Sequence, residues 1–375
     1  MKSLIKGPDG FQESELLSEK QRYYTEKGHL VYGSAIDCKL TQGNDAYNDT
    51  YYVPNLKVKP SDGMMSIAHK AFDLFKMDNP TLIHEINFDH FVTTHTWKVY
   101  LHQAMTIENY YPNRAKESYT DDTRLVDFEK KGAIPYLKSL FEARGRLVLS
   151  EEDTTIINGA TMSVQTKPNT AAFFGHDLGK NTLSLDVYNQ LVIYFDLQTS
   201  SAVLSCRSLL DRVIVNHNDR TVQIVDLKTL AGKTLDFVSS LQTWRYDIQS
   251  AFYTNAIRAW MDVMGYNTYS ILPFVFVVET TKPSLQGNPL VYVCDASLYD
   301  VGMNGIPERL SREEYSSRSG NYLVGTYNHR YKELLGINQL AARYNWYMEN
   351  GFNTPIEIAE TNGTFTIDWQ GIMLN

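Results

Sequence analysis

The stretch Leu209–Thr229 reads LLDRVIVNHNDRTVQIVDLKT. It has the form of a strand, a short polar break and a second strand. The β-branched runs Val213–Val215 and Thr221–Val225 favour extended backbone, and Asn216-His217-Asn218-Asp219 is turn chemistry. Asp211 lies in the first strand. Asp226 and Lys228 lie in the second, two residues apart, so the period of a strand puts them on one face. A turn of two or four residues pairs Asn216 with Asp219 or Val215 with Arg220. Both registers set Asp211 opposite Ile224, diagonal to Asp226 and on its face, with Cβ atoms roughly 7–8 Å apart or slightly less. Two carboxylates at that spacing reach one hard cation between them. A lysine beside them is placed to orient or deprotonate a water, or to neutralise charge on a phosphate. A three-residue turn would instead rotate Asp211 to the other face.

Asp211-Arg212 followed by Ile224-Val225-Asp226-Leu227-Lys228-Thr229 resembles the PD-(D/E)xK metal-dependent nucleases. Within them it resembles the RecB-like exonucleases, whose text runs roughly G-x-x-D-R to I-x-D-x-K-T. In that branch a helix follows with a Gln-x-x-x-Tyr motif, and this chain has Gln249-Ser250-Ala251-Phe252-Tyr253. Upstream, Gly33-Ser34-Ala35-Ile36-Asp37 resembles the branch's first motif, roughly G-T-A-x-H. Asp37 stands where the family has a metal-binding histidine. Gln190 stands where relatives often carry a glutamate. The segment 149–174 resembles the helix before the catalytic sheet in exonuclease VIII-type phage and prophage enzymes.

Bulk properties narrow the class. The 375 residues carry 43% hydrophobic and 12% aromatic side chains, 25 of them tyrosine, enough for a globular core. No apolar run approaches the length of a membrane span, and the N-terminus MKSLIKGPDGFQESELLSEK lacks an apolar signal core. A cytoplasmic protein is expected, in a host cytoplasm if phage-encoded. Cys38, Cys206 and Cys294 are scattered without a C-x-x-C, so neither a zinc site nor an iron–sulfur cluster is expected. The formal net charge of −8 opposes diffuse DNA binding, which rests on phosphate neutralisation. DNA contact would be confined to a local basic groove.

Along the chain, a charged helix is expected over 12–29 and the first-motif helix over 29–42. Residues 64–77 read as a helix on the spacing of Met64, Ile67, Ala68, Ala71, Phe72 and Phe75. His84, His90, His95 and His102 fit no zinc spacing and read as ordinary fold residues. Arg114, Lys116, Lys130, Lys131, Lys138, Arg144 and Arg146, interleaved with Tyr110, Tyr111, Tyr119, Tyr136 and Phe141, read either as a DNA-facing wall or as solvated helix faces. A helix starts at Ser150 and stops near Pro168. Strands follow over Val187–Asp196 and in the hairpin. A long helix, Phe237–Met264, then turns Phe237, Leu241, Trp244, Ile248 and Phe252 to the sheet and carries Gln249 and Tyr253 on an adjacent face with Gln242 and Tyr246. Further strands are expected over Tyr269–Glu279, Pro289–Ala296 and Thr364–Trp369, a polar loop over Ser311–Gly320, and a helix over Tyr331–Asn350.

The expected fold is α/β: a mixed sheet flanked by helices, the αβββαβ restriction-endonuclease-like core, its parallel crossover running through Phe237–Met264. One nuclease domain, 1–375, is expected, with an elaboration over 43–180, a catalytic core over 183–300 and a C-terminal helix and strand over 301–375. The resemblance implies an Mg²⁺- or Mn²⁺-dependent exonuclease acting on ends of duplex DNA. It further implies a homo-oligomer and a single-strand annealing partner. Metal would be held by Asp211, Asp226, the Leu227 carbonyl and Asp37, with Lys228 at the water and Gln249 and Tyr253 positioning phosphate or lysine. A structure-specific endonuclease, an RNA-acting nuclease and a decayed, non-enzymatic DNA-binding protein are the alternatives.

Overall fold

The computed structural model describes residues 28–56, 58, 60–79, 88–93, 97–110, 121–175, 181–306, 334–351 and 356, the side chains of 28–30, 89, 90, 93 and 121–123 excepted. The expectations for 12–27, 311–320 and 364–369 lie outside these residues, as do His84, His95, Tyr111, Arg114, Lys116 and Tyr119. The chain divides into two units, Met1–Thr41 with Gly159–Asn375, and Gln42–Asn158. Helix α1 (Gly28–Thr41) belongs to the first.

The second unit is mainly helical: α2 (Gly43–Thr50), α3 (Asp62–Asp78), α4 (Phe88–Thr93), α5 (Trp97–Ile107), α6 (Asp121–Lys130) and α7 (Ala133–Glu142). A short parallel pairing joins β1 (Tyr51–Tyr52) to β2 (Leu147–Val148). On α3 the positions Met64, Ile67, Ala68, Ala71 and Phe75 recur at helical spacing and are buried. They pack with Phe91, Leu101, Phe128, Leu137 and Phe141 in one apolar cluster. Several described basic residues of this unit are engaged by neighbours. Lys131 pairs with Asp127 and Lys138 with Glu142, and Arg146 donates to the carbonyls of Ala143, Asn48 and Glu142.

After α8 (Glu151–Thr166), Pro168 opens α9 (Pro168–Phe174), because proline suits the first helical position and not the interior. The sheet follows: β3 (Leu185–Gln198), β4 (Val203–Asn216), β5 (Thr221–Leu230), then α10 (Phe237–Trp244), α11 (Tyr246–Met264), β6 (Ser270–Ile271), β7 (Val275–Thr280) and β8 (Leu290–Val293). Helices α12 (Ala296–Asn304) and α13 (Ile337–Asn350) complete the described chain. The sheet order is β3-β4-β5-β7-β8, with β6 beside β5. Pairing is antiparallel for β3–β4, β4–β5 and β7–β8 and parallel for β5–β7. The parallel crossover runs through α10 and α11, as expected of a mixed α/β sheet. Val213, Val215, Val222, Ile224, Phe274, Phe276 and Val278 share a core with Phe237, Leu241, Ile248, Ala251 and Ile257 of these helices.

The expected long helix is two. Arg245 takes φ 52° and breaks it. Its guanidinium binds Asp247 and the carbonyl of Leu335, a buried arrangement that holds the kink. Trp244, expected to face the sheet, is 61% exposed as a result. The expected strand over Tyr269–Glu279 is likewise two, parted around Pro273, whose missing N–H interrupts pairing.

Candidate active site at the strand fork

The site forms where β4 parts from β5. Their ladder runs from Asn216 with Thr221 to Arg212 with Val225 and ends there, while β5 continues beside β7 as far as Leu230. Continued one step past the ladder, this register sets Asp211 opposite Asp226. The register therefore differs from the one expected: Asp211 faces Asp226, not Ile224. The cause lies in Asn216. Its Oδ1 accepts from the N–H groups of Asn218 (3.0 Å) and Asp219 (3.1 Å), and its Nδ2 donates to Asp219 (2.8 Å). This side chain organises a four-residue turn, 217–220, closed by Arg220 at φ 51°. The shift is by an even count, so Asp211, Asp226 and Lys228 keep a common face.

Past the ladder, the Leu227 N–H donates to Asp211 Oδ2 at 2.9 Å. Asp226, 1% exposed, accepts from Gln249 Nε2 at 2.6 Å on Oδ1 and from Lys228 Nζ on Oδ2. Lys228 Nζ also lies 4.8 Å from the centre of the Tyr246 ring, an attraction between cation and π face. Sequence reading placed Tyr246 on this side of the helix without a role. Tyr253, one helical turn beyond Gln249, has its hydroxyl pushed up to about 12 by burial and by the charges of Asp226 and Asp211.

Helix α1 brings Asp37 to the group. A Cβ on Gly33 would come within 2.8 Å of Thr229 Oγ1, so glycine is what lets the helix lie so close to β5. Arg212 holds the helix end. Its Nη2 donates to the Leu40 carbonyl (3.0 Å), Nη1 to that of Phe173 (2.6 Å) and Nε to Asn189 Oδ1 (2.8 Å), with the guanidinium 4.5 Å over Phe174. Asp211-Arg212 thus divides its work between the two faces of β4. The arginine was legible in the motif; its clamp was not. Asp37 Oδ2 accepts from Gln190 Nε2 at 2.9 Å. The two positions where this chain departs from the pattern it resembles are therefore bonded to each other.

The electrostatics are those of crowded negative charge. Burial, then the charge of Asp226, raises the Asp37 carboxyl to about 6. Burial, then Asp226 and Asp37, holds Asp211 well above the ordinary carboxylate range. Burial works against the Lys228 charge, but Asp226 and Asp211 outweigh it and its pKa lies above the ordinary value. Among the described residues, no three Asp, Glu, His or Cys side chains form a ready-made metal cage. The donor chemistry nonetheless fits a hard divalent cation: carboxylate oxygens that destabilise one another, and a buried Asp37 Oδ1 with no hydrogen-bond partner.

No family model matches the chain, and no curated protein does. Among solved structures it is similar to a Eubacterium rectale protein titled "Putative exonuclease", with a TM-score of 0.30 and 14% identity over 72% of this chain and 83% of that one. Among the described residues no helix is long and apolar enough to cross a membrane.

Proposed function

We propose that the chain is a divalent-cation-dependent deoxyribonuclease of the PD-(D/E)xK type that degrades linear duplex DNA from its ends. One observation carries the reading: Asp211, Asp226 and Lys228 converge where β4 leaves β5, with Asp37 brought alongside by α1. Mg²⁺ or Mn²⁺ would be held by Asp37, Asp211, Asp226 and the Leu227 carbonyl, and would supply Lewis-acid stabilisation of the attacked phosphate. The charges of Asp226 and Asp211 hold the Lys228 pKa above its ordinary value, which suits it to orient water and phosphate as a cation. Gln249 fixes the rotamer of Asp226. Tyr253 stays protonated and is a hydroxyl donor for a phosphate oxygen. Exonuclease VIII-type chemistry, a homo-oligomer and an annealing partner for the exposed strand belong to the same proposal and rest on the sequence resemblance.

The test is cleavage of end-labelled linear DNA against closed circles, with Mg²⁺ and with EDTA. Linear DNA should be degraded, circles spared and EDTA abolish activity. Lys228→Ala should lose roughly 10²–10³-fold in rate, the scale for removing one charge-stabilising donor, while folding as wild type does. Undiminished cleavage by that variant would reject the assigned centre. Rapid nicking of supercoiled circles would point to an endonuclease on the same site.

A further inference from the structure

The Gln190 backbone departs from the sheet around it. Its φ of 50° places a non-glycine residue in the left-handed region inside β3. The β3–β4 ladder pairs Asn189 with Arg212 and Leu191 with Leu210, and leaves out the Gln190–Asp211 position between them. No other residue of β3 leaves the pairing. The departure carries the Gln190 amide onto α1. Nε2 donates to Asp37 Oδ2 at 2.9 Å and to Thr41 Oγ1 at 3.4 Å, and Thr41 Oγ1 donates to the Asp37 carbonyl at 2.8 Å. Both Nε2 hydrogens are thus used on one turn of helix. The other Asp37 oxygen, Oδ1, is buried and has no hydrogen-bond partner.

We infer that Gln190 is a positioning residue for Asp37: its amide pins Oδ2 and so presents Oδ1 to a divalent cation. This role presupposes the cation site proposed above. The place demands a donor. A glutamate here could not donate when ionised and would set a fourth carboxylate against Asp37, Asp211 and Asp226. A backbone conformation uncommon for glutamine, adopted at one residue of a long strand, is what a fixed amide at this point requires. Partners that orient a ligand in this way are typically worth roughly 10–100-fold in metal affinity.

Calorimetric titration of the full-length protein with Mn²⁺ reads the role directly. Gln190→Met keeps the side-chain length and removes the donor. Gln190→Gly keeps the left-handed backbone without steric cost and removes the side chain. Each should bind Mn²⁺ roughly tenfold or more weakly, with a melting midpoint in EDTA close to that of wild type. In an Asp37→Asn background, Gln190→Met should weaken Mn²⁺ binding no further, because the amide acts through that carboxylate. Unchanged affinity in the single variants, or an equal loss with and without the Asp37 carboxylate, overturns the role and leaves the nuclease reading standing. A wild-type protein that takes up no Mn²⁺ ends both. Should Gln190→Met fail to fold, Gln190→Gly, alone and with Asp37→Asn, decides by the same criteria.

Discussion

The two units bury their residues on different principles. The core of the helical unit is a stack of rings and aliphatic chains: Phe91 meets Phe75 at 4.8 Å and Phe141 at 4.9 Å, with Phe128 and Leu137 fully buried beside them. Among its described residues, the ion pairs of Lys76 with Asp73, Lys131 with Asp127 and Lys138 with Glu142 join near neighbours in sequence at the surface. The sheet unit has an equally apolar core but also buries the carboxylates Asp226, Asp247 and Glu279 beside Arg212, whereas the charged side chain buried in the helical unit, among the described residues, is Arg124. Asp247 is answered by Arg245, and Glu279 by the N–H groups of Thr280 and Gly287. Among the described residues, it is at the strand fork that carboxylates oppose one another. Packing alone gives no reason to keep such a cluster, because burying like charges together costs stability. The proposed cation site would account for the contrast, since a bound cation would offset the mutual repulsion of these carboxylates.

Four substitutions sharpen or break that contrast. Phe91→Ala should cost about 3–5 kcal/mol, the scale for truncating a buried aromatic. It should be read as lost amide-exchange protection in α3 and α7, and unchanged protection there would mean the cluster is not a cooperative core. Gly33→Ala should cost about 1–3 kcal/mol, because the new methyl group meets Thr229 Oγ1. Adding Thr229→Ala should return part of the loss, and a purely additive pair would show that the close approach is not the cause.

Asp211→Asn should go the other way. Asparagine still accepts from the Leu227 N–H, and the charge that burial and Asp226 oppose is gone. In EDTA at pH 7 the variant should melt higher by ~2–4 °C, or about 1 kcal/mol, while cleavage falls. The pH dependence has a definite sign. Asp37 moves from an ordinary 3.8 to about 6 on folding, so the native state binds more protons than the unfolded chain in that interval. Stability in EDTA therefore falls as pH rises from about 4 to about 6, with Asp211 adding in the same direction. Asp211→Asn should show a shallower slope, and an equal or steeper one would remove Asp211 from the repelling group. The smallest effect belongs to the helical unit. Lys138→Ala breaks an exposed pair at 3.7 Å and should change stability by less than ~1 kcal/mol in a denaturant titration; a larger loss would mean that the surface pairs carry part of the fold.

What the sequence by itself determined is what a few neighbouring residues can encode. The β-branched runs Val213–Val215 and Thr221–Val225 made two strands, and a spacing of two put Asp226 and Lys228 on one face. Helical spacing made the buried stripe of α3, and a spacing of four put Gln249 and Tyr253 on one side of α11. Pro168 ended one helix and began the next. Tertiary structure decided what depends on partners far along the chain. The strand register came out two residues away from the expected one, which sets Asp211 opposite Asp226 and not Ile224. Arg245 broke a helix whose apolar spacing ran straight through, because Asp247 and the Leu335 carbonyl hold its guanidinium in the core. Arg212 looked like a motif letter and is the clamp on α1. Gln190, which read as a poor metal ligand, meets Asp37 across most of the length between the first helix and the sheet. Periodicity and turn chemistry act over a turn of helix or a pair of residues. The energies that place a buried charge or a left-handed glutamine come from whichever groups the packed layers bring within hydrogen-bond reach, and no local pattern names them.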